Sequence, residues 1–181
     1  MACKLLLESS VKSQKNKNDL ILDELKRRKT REKIVEVEED TVKVVIFSLL
    51  GELFAFKGSD VKEILSLLPI HCVPGSPDFI PGVINIRGDI ESVIKINKFL
   101  GLPDSEPSTK SRIAISEMDG IRSGVLLDSV EDVMDIPASS VTPPLLTLGK
   151  DAKEYVSGQF LYGDKSVTIL DVGKIFGRLG A

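Results

Sequence analysis

The chain has 181 residues, 42% of them apolar, which is enough for one domain with a hydrophobic core, alone or with a tail. Aromatic residues make up 5% and Trp is absent, so Val, Ile and Leu must build that core, and the β-branched Val and Ile favour strands. A net charge of −3 argues against nucleic acid as a partner of the whole protein. No apolar run has the length of a transmembrane helix or a signal peptide, and Cys3 and Cys72 are too few for a disulfide framework. We therefore expect a soluble cytoplasmic protein.

Residues 1–40 differ from the rest of the chain in charge pattern. They contain ten basic and nine acidic residues, and six of the basic ones fall within positions 26–33. A helix over about 18–33 would have only a thin apolar seam, so it would bury little surface. We predict a charged N-terminal extension over 1–40, partly helical or disordered, and a folded domain over 41–181. The basic run favours a solvated helix face over a specific anion site.

Short apolar runs separated by turn residues begin at residue 41, a pattern typical of strands. The predicted elements are strands over 42–50 and 53–57, a short helix over 60–68, an extended segment over 70–73, a hairpin of 83–87 and 90–96, and a helical turn over 97–100. The helix is predicted because Asp60 and Glu63 have the spacing of a capping pair. The hairpin strands meet at a turn through Gly88-Asp89.

The polar loop over 103–111 is the predicted internal boundary of the domain. The elements after it are a three-stranded meander of 112–117, 121–128 and 130–136, a hairpin of 155–162 and 166–170, and a terminal helix. Asp171 is predicted to cap that helix, and its buried face is predicted to carry Val172, Ile175, Phe176 and Leu179. About nine strands with closely spaced turns predict an antiparallel sandwich or barrel rather than βαβ units.

Residues suited to catalysis or metal binding are scarce. His71 is the only histidine, and no second Cys or His pair has the spacing of a zinc site. The simplest interpretation is a strand residue beside a buried thiol, Cys72. No nucleophile with a partner base and no glycine-rich phosphate loop is present in the sequence. We therefore expect no metal, no cofactor and no enzymatic activity, and a protein that acts through its surfaces.

Four carboxylates lie close together in the sequence, at Asp128, Glu131, Asp132 and Asp135. A calcium loop needs acids at alternate positions, a glycine and a distant glutamate, and this spacing does not match. We interpret the cluster as a solvated strand edge, because charged edges also discourage the addition of further strands.

The segment 82–88 contains polar residues that the formation of a strand does not by itself require. Strand alternation places Ile84 and Ile86 on one face, and Asn85 and Arg87 on the other. Next to a glycine turn, the Arg87 guanidinium is able to pair with a carboxylate or with backbone carbonyls. A local salt bridge to Glu63 is the simplest structural interpretation.

Several groups of residues resemble the CheW family of chemotaxis coupling proteins, in unbroken order over residues 42–179. They are Phe47 to Phe56, Val61 to Ile64, Val73 to Pro77, Gly82 to Gly88, Gly124 to Val133, Pro143-Pro144, Tyr155 to Gly158 and Leu170-Asp171. The Gly-Val-x-Asn-x-Arg-Gly element over 82–88 is a fairly specific mark of the family.

The resemblance implies a mainly β fold of two intertwined five-stranded SH3-like barrels with a hydrophobic groove between them. It also implies a non-enzymatic adaptor that binds the regulatory domain of the histidine kinase CheA and the signalling tip of a methyl-accepting chemoreceptor. The chain would then meet the membrane only indirectly, through receptors.

Positions linked to coupling in the family match Val61, Glu63 and Arg87 here, with Gly82 in the same strand-entry region and Asn85 in the same motif. Val61 would supply an apolar contact, while Glu63 and Arg87 would fix geometry as a pair. Four neighbouring apolar residues are expected in the core because alternation turns them inward: Val45, Phe47, Leu53 and Phe56.

The chain also departs from the family pattern. After Arg-Gly the family typically has Val-Pro-Val-Ile-Asp-Leu, whereas the segment 92–96 lacks the proline and has Lys95 in place of the acid. The reversed charge predicts a changed preference for partners. Two other functions stay open: a self-associating regulatory or assembly module of a divergent signalling pathway, and a small enzyme that would depend on His71.

Overall fold

Ten strands form two five-stranded sheets in the computed structural model, which describes residues 39–118, 120–144 and 150–179. The strands are β1 (Thr41–Leu49), β2 (Glu52–Lys57), β3 (Val61–Ser66), β4 (Gly82–Ile86), β5 (Asp89–Ile94), β6 (Arg112–Met118), β7 (Ile121–Leu127), β8 (Ser129–Pro137), β9 (Val156–Tyr162) and β10 (Lys165–Leu170). The helices are α1 (Lys150–Lys153) and α2 (Val172–Gly177), and short 3-10 turns cover Gly58–Asp60, Lys98–Leu100 and Ala138–Ser140. The helix predicted over 18–33 lies outside the described residues.

The two sheets have the same pairing pattern. The first has the order β8-β1-β2-β10-β9 and the second β3-β6-β7-β5-β4. In each, one parallel pair, β2 with β10 or β7 with β5, stands among antiparallel pairs. We call these sheets the first and second barrel. Because β3–β7 are inserted between β2 and β8, the barrels are intertwined, and the predicted mainly β fold of two SH3-like barrels is confirmed.

Apolar residues form one cluster inside each barrel and a larger cluster between them. The first barrel encloses residues such as Ile46, Phe160 and Ile169, and the second encloses residues such as Ile84, Ile113 and Ile115. The central cluster joins both sheets and α2, with Phe47, Phe56, Ile94, Leu127, Tyr155 and Phe176 among its members. Burial between the barrels therefore holds the second sheet against the first.

Three of the four predicted core residues near the N-terminal hairpin are buried. Val45, Phe47 and Phe56 are at most 3% exposed, whereas Leu53 is half-buried at the edge of the first barrel's cluster. The terminal helix also forms, over Val172–Gly177, but Leu179, which was predicted on its buried face, follows the helix and is only half-buried. The Asp171 carboxylate accepts a hydrogen bond from the backbone N–H of Lys174 at 3.1 Å, and Val172, Ile175 and Phe176 are buried.

The helix predicted over 60–68 is wrong. A 3-10 turn ends at Asp60, and the following residues form β3, with Ile64 opposite Ala114 of β6. The apolar residues of this segment fit a helical period and a strand equally well over such a short length. Pairing with β6 favours the strand. Glu63, which was predicted to cap a helix, faces the solvent side of the sheet instead.

The predicted three-stranded meander is also wrong in its last strand. β6 and β7 pair as expected, but β8 pairs with β1 of the first barrel, with Val45 opposite Val133. A single residue, Asp128, separates β7 from β8, and its backbone N–H donates to the Ser48 carbonyl at 3.2 Å. The chain thus passes directly from one barrel to the other at this residue.

The thiol predicted to be buried is exposed. Cys72 and His71 both lie on the surface, in an irregular segment that touches β4 through a pair of backbone hydrogen bonds between His71 and Val83. Within the described part of the chain, no helix is long and apolar enough to span a membrane.

Candidate functional site

The residues predicted for the coupling site lie on or beside the two outer strands of the second barrel. Val61 and Glu63 belong to β3, Gly82 and Asn85 to β4, and Arg87 follows β4 in the turn to β5. These strands occupy opposite ends of the sheet order, so no backbone ladder joins them. A side-chain contact between Arg87 and Glu63 spans that gap.

Arg87 and Glu63 form an ion pair, with 2.9 Å between the guanidinium Nη2 and the carboxylate Oε1. The Arg87 side chain is 80% exposed and that of Glu63 is 29% exposed. Ion pairs this accessible contribute about 0–1 kcal/mol to stability, because water screens them. The pair therefore orients Arg87 more than it stabilises the barrel, and it leaves most of the guanidinium open to a partner.

The turn that carries Arg87 has an unusual backbone. Arg87 has a φ of +56° and Gly88 a φ of +104°, so both central residues of a two-residue hairpin are left-handed, as in a type I′ turn. The Asn85 side-chain oxygen accepts a hydrogen bond from the backbone N–H of Gly88 at 3.0 Å. Ile84 and Ile86 are buried while Asn85 is exposed, which confirms the predicted alternation.

Gly82 has a structural reason to be glycine. It is buried with a φ of +153°, and a Cβ placed there would lie 2.2 Å from the carbonyl oxygen of His71. The segment through His71 approaches this closely because it exchanges two backbone hydrogen bonds with Val83, at 2.8 and 2.9 Å. Gly82 thus shapes the edge of β4 and offers no side chain to a partner.

Val61, on the same strand as Glu63, takes no part in the ion pair. It is half-buried and packs against the central cluster, opposite Ser116 of β6. The structure therefore brings Glu63, Asn85 and Arg87 together, and places Val61 where the two barrels meet.

Ile90 is a surface residue that the sequence did not single out. It is 63% exposed and stands opposite Asn85 in the β4–β5 hairpin. The sequence feature that could have revealed it is an apolar residue directly after the polar turn at Gly88-Asp89, at a position where a polar side chain is more usual. Ile90 thus exposes an apolar side chain in the same hairpin as Arg87.

Lys95, the residue that departs from the family pattern, is directed toward its own chain. It is half-buried, and its ammonium Nζ donates to the carbonyl oxygen of Ser105 at 3.3 Å, in the loop predicted as an internal boundary.

The acidic cluster is a strand edge only in part. Glu131 and Asp135 are exposed on β8, the outer strand of the first barrel. Asp132 accepts a hydrogen bond from the Tyr162 hydroxyl at 3.0 Å, and this bond, with the charge of Asp132, raises the pKa of Tyr162 above its usual value.

The interpretation as a solvated edge is wrong for Asp128. Its carboxylate accepts hydrogen bonds of 2.7 Å from the backbone N–H of Leu50 and from the Ser105 hydroxyl. Across residues 39–118, 120–144 and 150–179, no group of three or more His, Cys, Asp or Glu side chains is arranged to hold a metal ion.

A comparison with protein families matches residues 43–179 to the CheW-like domain. The chain belongs to the CheW family. Chemotaxis protein CheW of Bacillus subtilis is 27% identical over 136 residues, which cover 75% of this chain and 87% of that protein. Chemotaxis protein CheW of Thermotoga maritima is 28% identical over 134 residues, covering 73% and 85%.

Among solved structures, the scaffolding protein TtCheW from Thermoanaerobacter tengcongensis is similar, with a TM-score of 0.68 and 35% identity. The match covers 76% of this chain and 88% of that one. The predicted family and the predicted role of a chemotaxis coupling adaptor are confirmed. Nothing in the comparisons favours a self-associating module of a divergent pathway.

Proposed function

We propose that this CheW-family adaptor links the regulatory domain of the histidine kinase CheA to the signalling tip of a methyl-accepting chemoreceptor. Glu63, Asn85 and Arg87 form part of the coupling surface, and Val61 contributes an apolar contact beside the central cluster. The observation that carries the proposal is the exposed guanidinium of Arg87, held at 2.9 Å from Glu63.

The energetics of the pair support a binding role. An ion pair that is 80% exposed at the arginine adds little to folding, since screening by water reduces it. At an interface, a partner excludes that water, and a charged group with its geometry already fixed loses less freedom on binding. Arginine is also one of the residue types enriched in interface hot spots.

The proposal includes two further expectations: the protein catalyses no reaction, and it acts in the cytoplasm. An adaptor of this kind needs two protein-binding surfaces and no reactive side chain, and both the kinase and the receptor tip would reach it in the cytoplasm. No cofactor is required for that task.

The test is co-sedimentation of the full chain with the CheA regulatory domain and a receptor signalling tip. Arg87→Ala should weaken the ternary complex about tenfold or more, the scale of a lost interface hot spot. Its thermal unfolding should stay within about 2 °C of wild type, because a surface pair contributes little.

Lys98→Ala is the matched control, since Lys98 pairs with Asp78 at the same 2.9 Å on the surface. It should bind as wild type does. If Arg87→Ala binds normally, or if it unfolds, the assignment of Arg87 to the coupling surface is wrong.

A further inference from the structure

We propose that Asn85 is a positioning residue, which holds the turn around Arg87 and thereby sets the direction of the guanidinium. This inference depends on the proposed function, since it assigns Asn85 an effect on coupling that passes through Arg87. Within the coupling surface, it assigns Asn85 to holding the turn and Arg87 to contacting the partner.

The backbone of Arg87 needs such support. A φ of +56° is disfavoured for a residue with a Cβ, because the Cβ approaches the following carbonyl. Arginine carries no short polar group that stabilises this conformation from its own side chain. Something outside the residue must therefore hold the turn.

Asn85 supplies that support from two residues upstream. Its side-chain oxygen lies 3.0 Å from the Gly88 nitrogen, so the hydrogen bond closes a small ring of backbone that contains Arg87. Glu63 holds the other end of the same residue, at the guanidinium. Arg87 is thus fixed at its backbone by Asn85 and at its charged group by Glu63.

A second hairpin turn in the chain has a related arrangement. Leu50 is the other non-glycine residue with a positive φ among those described, at +53°, and it also lies in a hairpin turn. Its backbone N–H donates to the Asp128 carboxylate at 2.7 Å. In both hairpins, a side-chain oxygen accepts from a backbone N–H in the turn where the left-handed residue lies.

Two changes at Asn85 separate positioning from direct contact. Asn85→Ala removes the acceptor, whereas Asn85→Asp keeps an oxygen for the Gly88 N–H and replaces the amide NH₂ group by a carboxylate oxygen with a negative charge. If Asn85 acts by positioning, Asp rescues the effect of Ala. If the amide NH₂ group touched the partner, Asp would bind as poorly as Ala.

The experiment measures hydrogen exchange of the Gly88 amide by NMR, and co-sedimentation with the kinase domain and receptor tip, for both variants. Asn85→Ala should speed exchange at Gly88 and weaken binding about fivefold to tenfold, the equivalent of one ordinary hydrogen bond. Asn85→Asp should restore both towards wild type. In an Arg87→Ala background, Asn85→Ala should weaken binding no further.

Three results would overturn the inference: unchanged exchange at Gly88 in Asn85→Ala, failure of Asn85→Asp to restore binding, or an additive loss of binding on top of Arg87→Ala. The exchange measurement uses the adaptor alone. It therefore still decides whether Asn85 holds the turn if Arg87→Ala binds normally and the proposed function fails.

Discussion

Tyr162 donates a hydrogen bond to Asp132 at 3.0 Å and so joins β9 to β8, the two outer strands of the first barrel. In the second barrel, Arg87, in the turn after β4, forms an ion pair with Glu63 of β3, the other outer strand. Since the sheets share one pairing pattern, these contacts occupy equivalent places. In each barrel, therefore, a side-chain contact joins the two outer strands of the sheet, directly or through the turn that follows one of them.

The contact in the first barrel predicts how stability depends on pH. The hydrogen bond to Asp132 and its charge raise the pKa of Tyr162 above the usual 10.0. A raised pKa in the folded state means that the stabilisation is complete below pH 10 and falls as the pH rises through the folded-state value. Tyr162→Phe should therefore be less stable than wild type at pH 8, and this difference should shrink above pH 10.

Urea unfolding of both proteins between pH 8 and pH 11 measures this difference. Asp132→Asn serves as a control, because its amide oxygen still accepts the bond but lacks the charge, so the pH dependence should be weaker. A constant difference between wild type and Tyr162→Phe across the range would contradict the prediction.

Gly82 should not tolerate a side chain. The Cβ of Gly82→Ala would meet the His71 carbonyl oxygen at 2.2 Å, on a backbone that already has a φ of +153°. We expect the free energy of unfolding to fall by about 2–4 kcal/mol. Gly177→Ala is the control, since nothing lies within 4 Å of a Cβ there and its φ is not left-handed, and it should change stability by less than about 1 kcal/mol. Equal effects of the two changes in chemical denaturation would refute this account of Gly82.

Asp128 should contribute to stability through the two groups that it accepts from. Asp128→Ala leaves the Leu50 N–H and the Ser105 hydroxyl without that partner. We expect a loss of about 1–3 kcal/mol, measured by urea unfolding. In a Leu50→Gly background the loss should be smaller, because glycine adopts a positive φ without strain. A full loss in both backgrounds would show that the carboxylate does not support the turn.

Removing the buried hydroxyl of Ser116 should not lower stability, in contrast to removing the Asp128 carboxylate. Its hydroxyl is fully buried, and within the described residues it has no hydrogen-bond partner. Ser116→Ala should therefore leave stability unchanged or raise it by up to about 1 kcal/mol. Ser123→Ala, on the neighbouring strand, removes a hydroxyl that donates to the Ser92 carbonyl at 3.0 Å, and it should lower stability by about 1 kcal/mol. Thermal unfolding of the two variants separates these cases, and a loss at Ser116 as large as that at Ser123 would contradict the prediction.

Local patterns predicted the hairpin at Gly88 and the cap of the terminal helix because their determinants lie within a few residues. The turn at Gly88, the alternation around Asn85 and the cap at Asp171 are all local. The pairing of Glu63 with Arg87 was also predictable from the sequence, because the two side chains carry opposite charges and Arg87 lies in a recognisable motif. The predicted domain limits at 40 and near 103–111 stay predictions.

The two errors in the fold concern partners far apart in the sequence. β3 is a strand because β6 is available to pair with it, and β8 joins the first barrel because β1 has a free edge there. The residues of β3 or β8 alone do not determine which strand each one pairs with. The role of Asp128 was missed for the same reason, since Leu50 lies 78 residues away from it.

The insertion of β3–β7 between β2 and β8 has a consequence for synthesis. Translation finishes β3–β7 before β8, β9 and β10, so the second sheet is complete while β1 and β2 still lack the other three strands of their sheet. Phe54 of β2 pairs with Thr168 of β10, which is translated much later. We therefore expect nascent chains to form the second sheet first, and the β1–β2 hairpin to depend on β10 for its pairing.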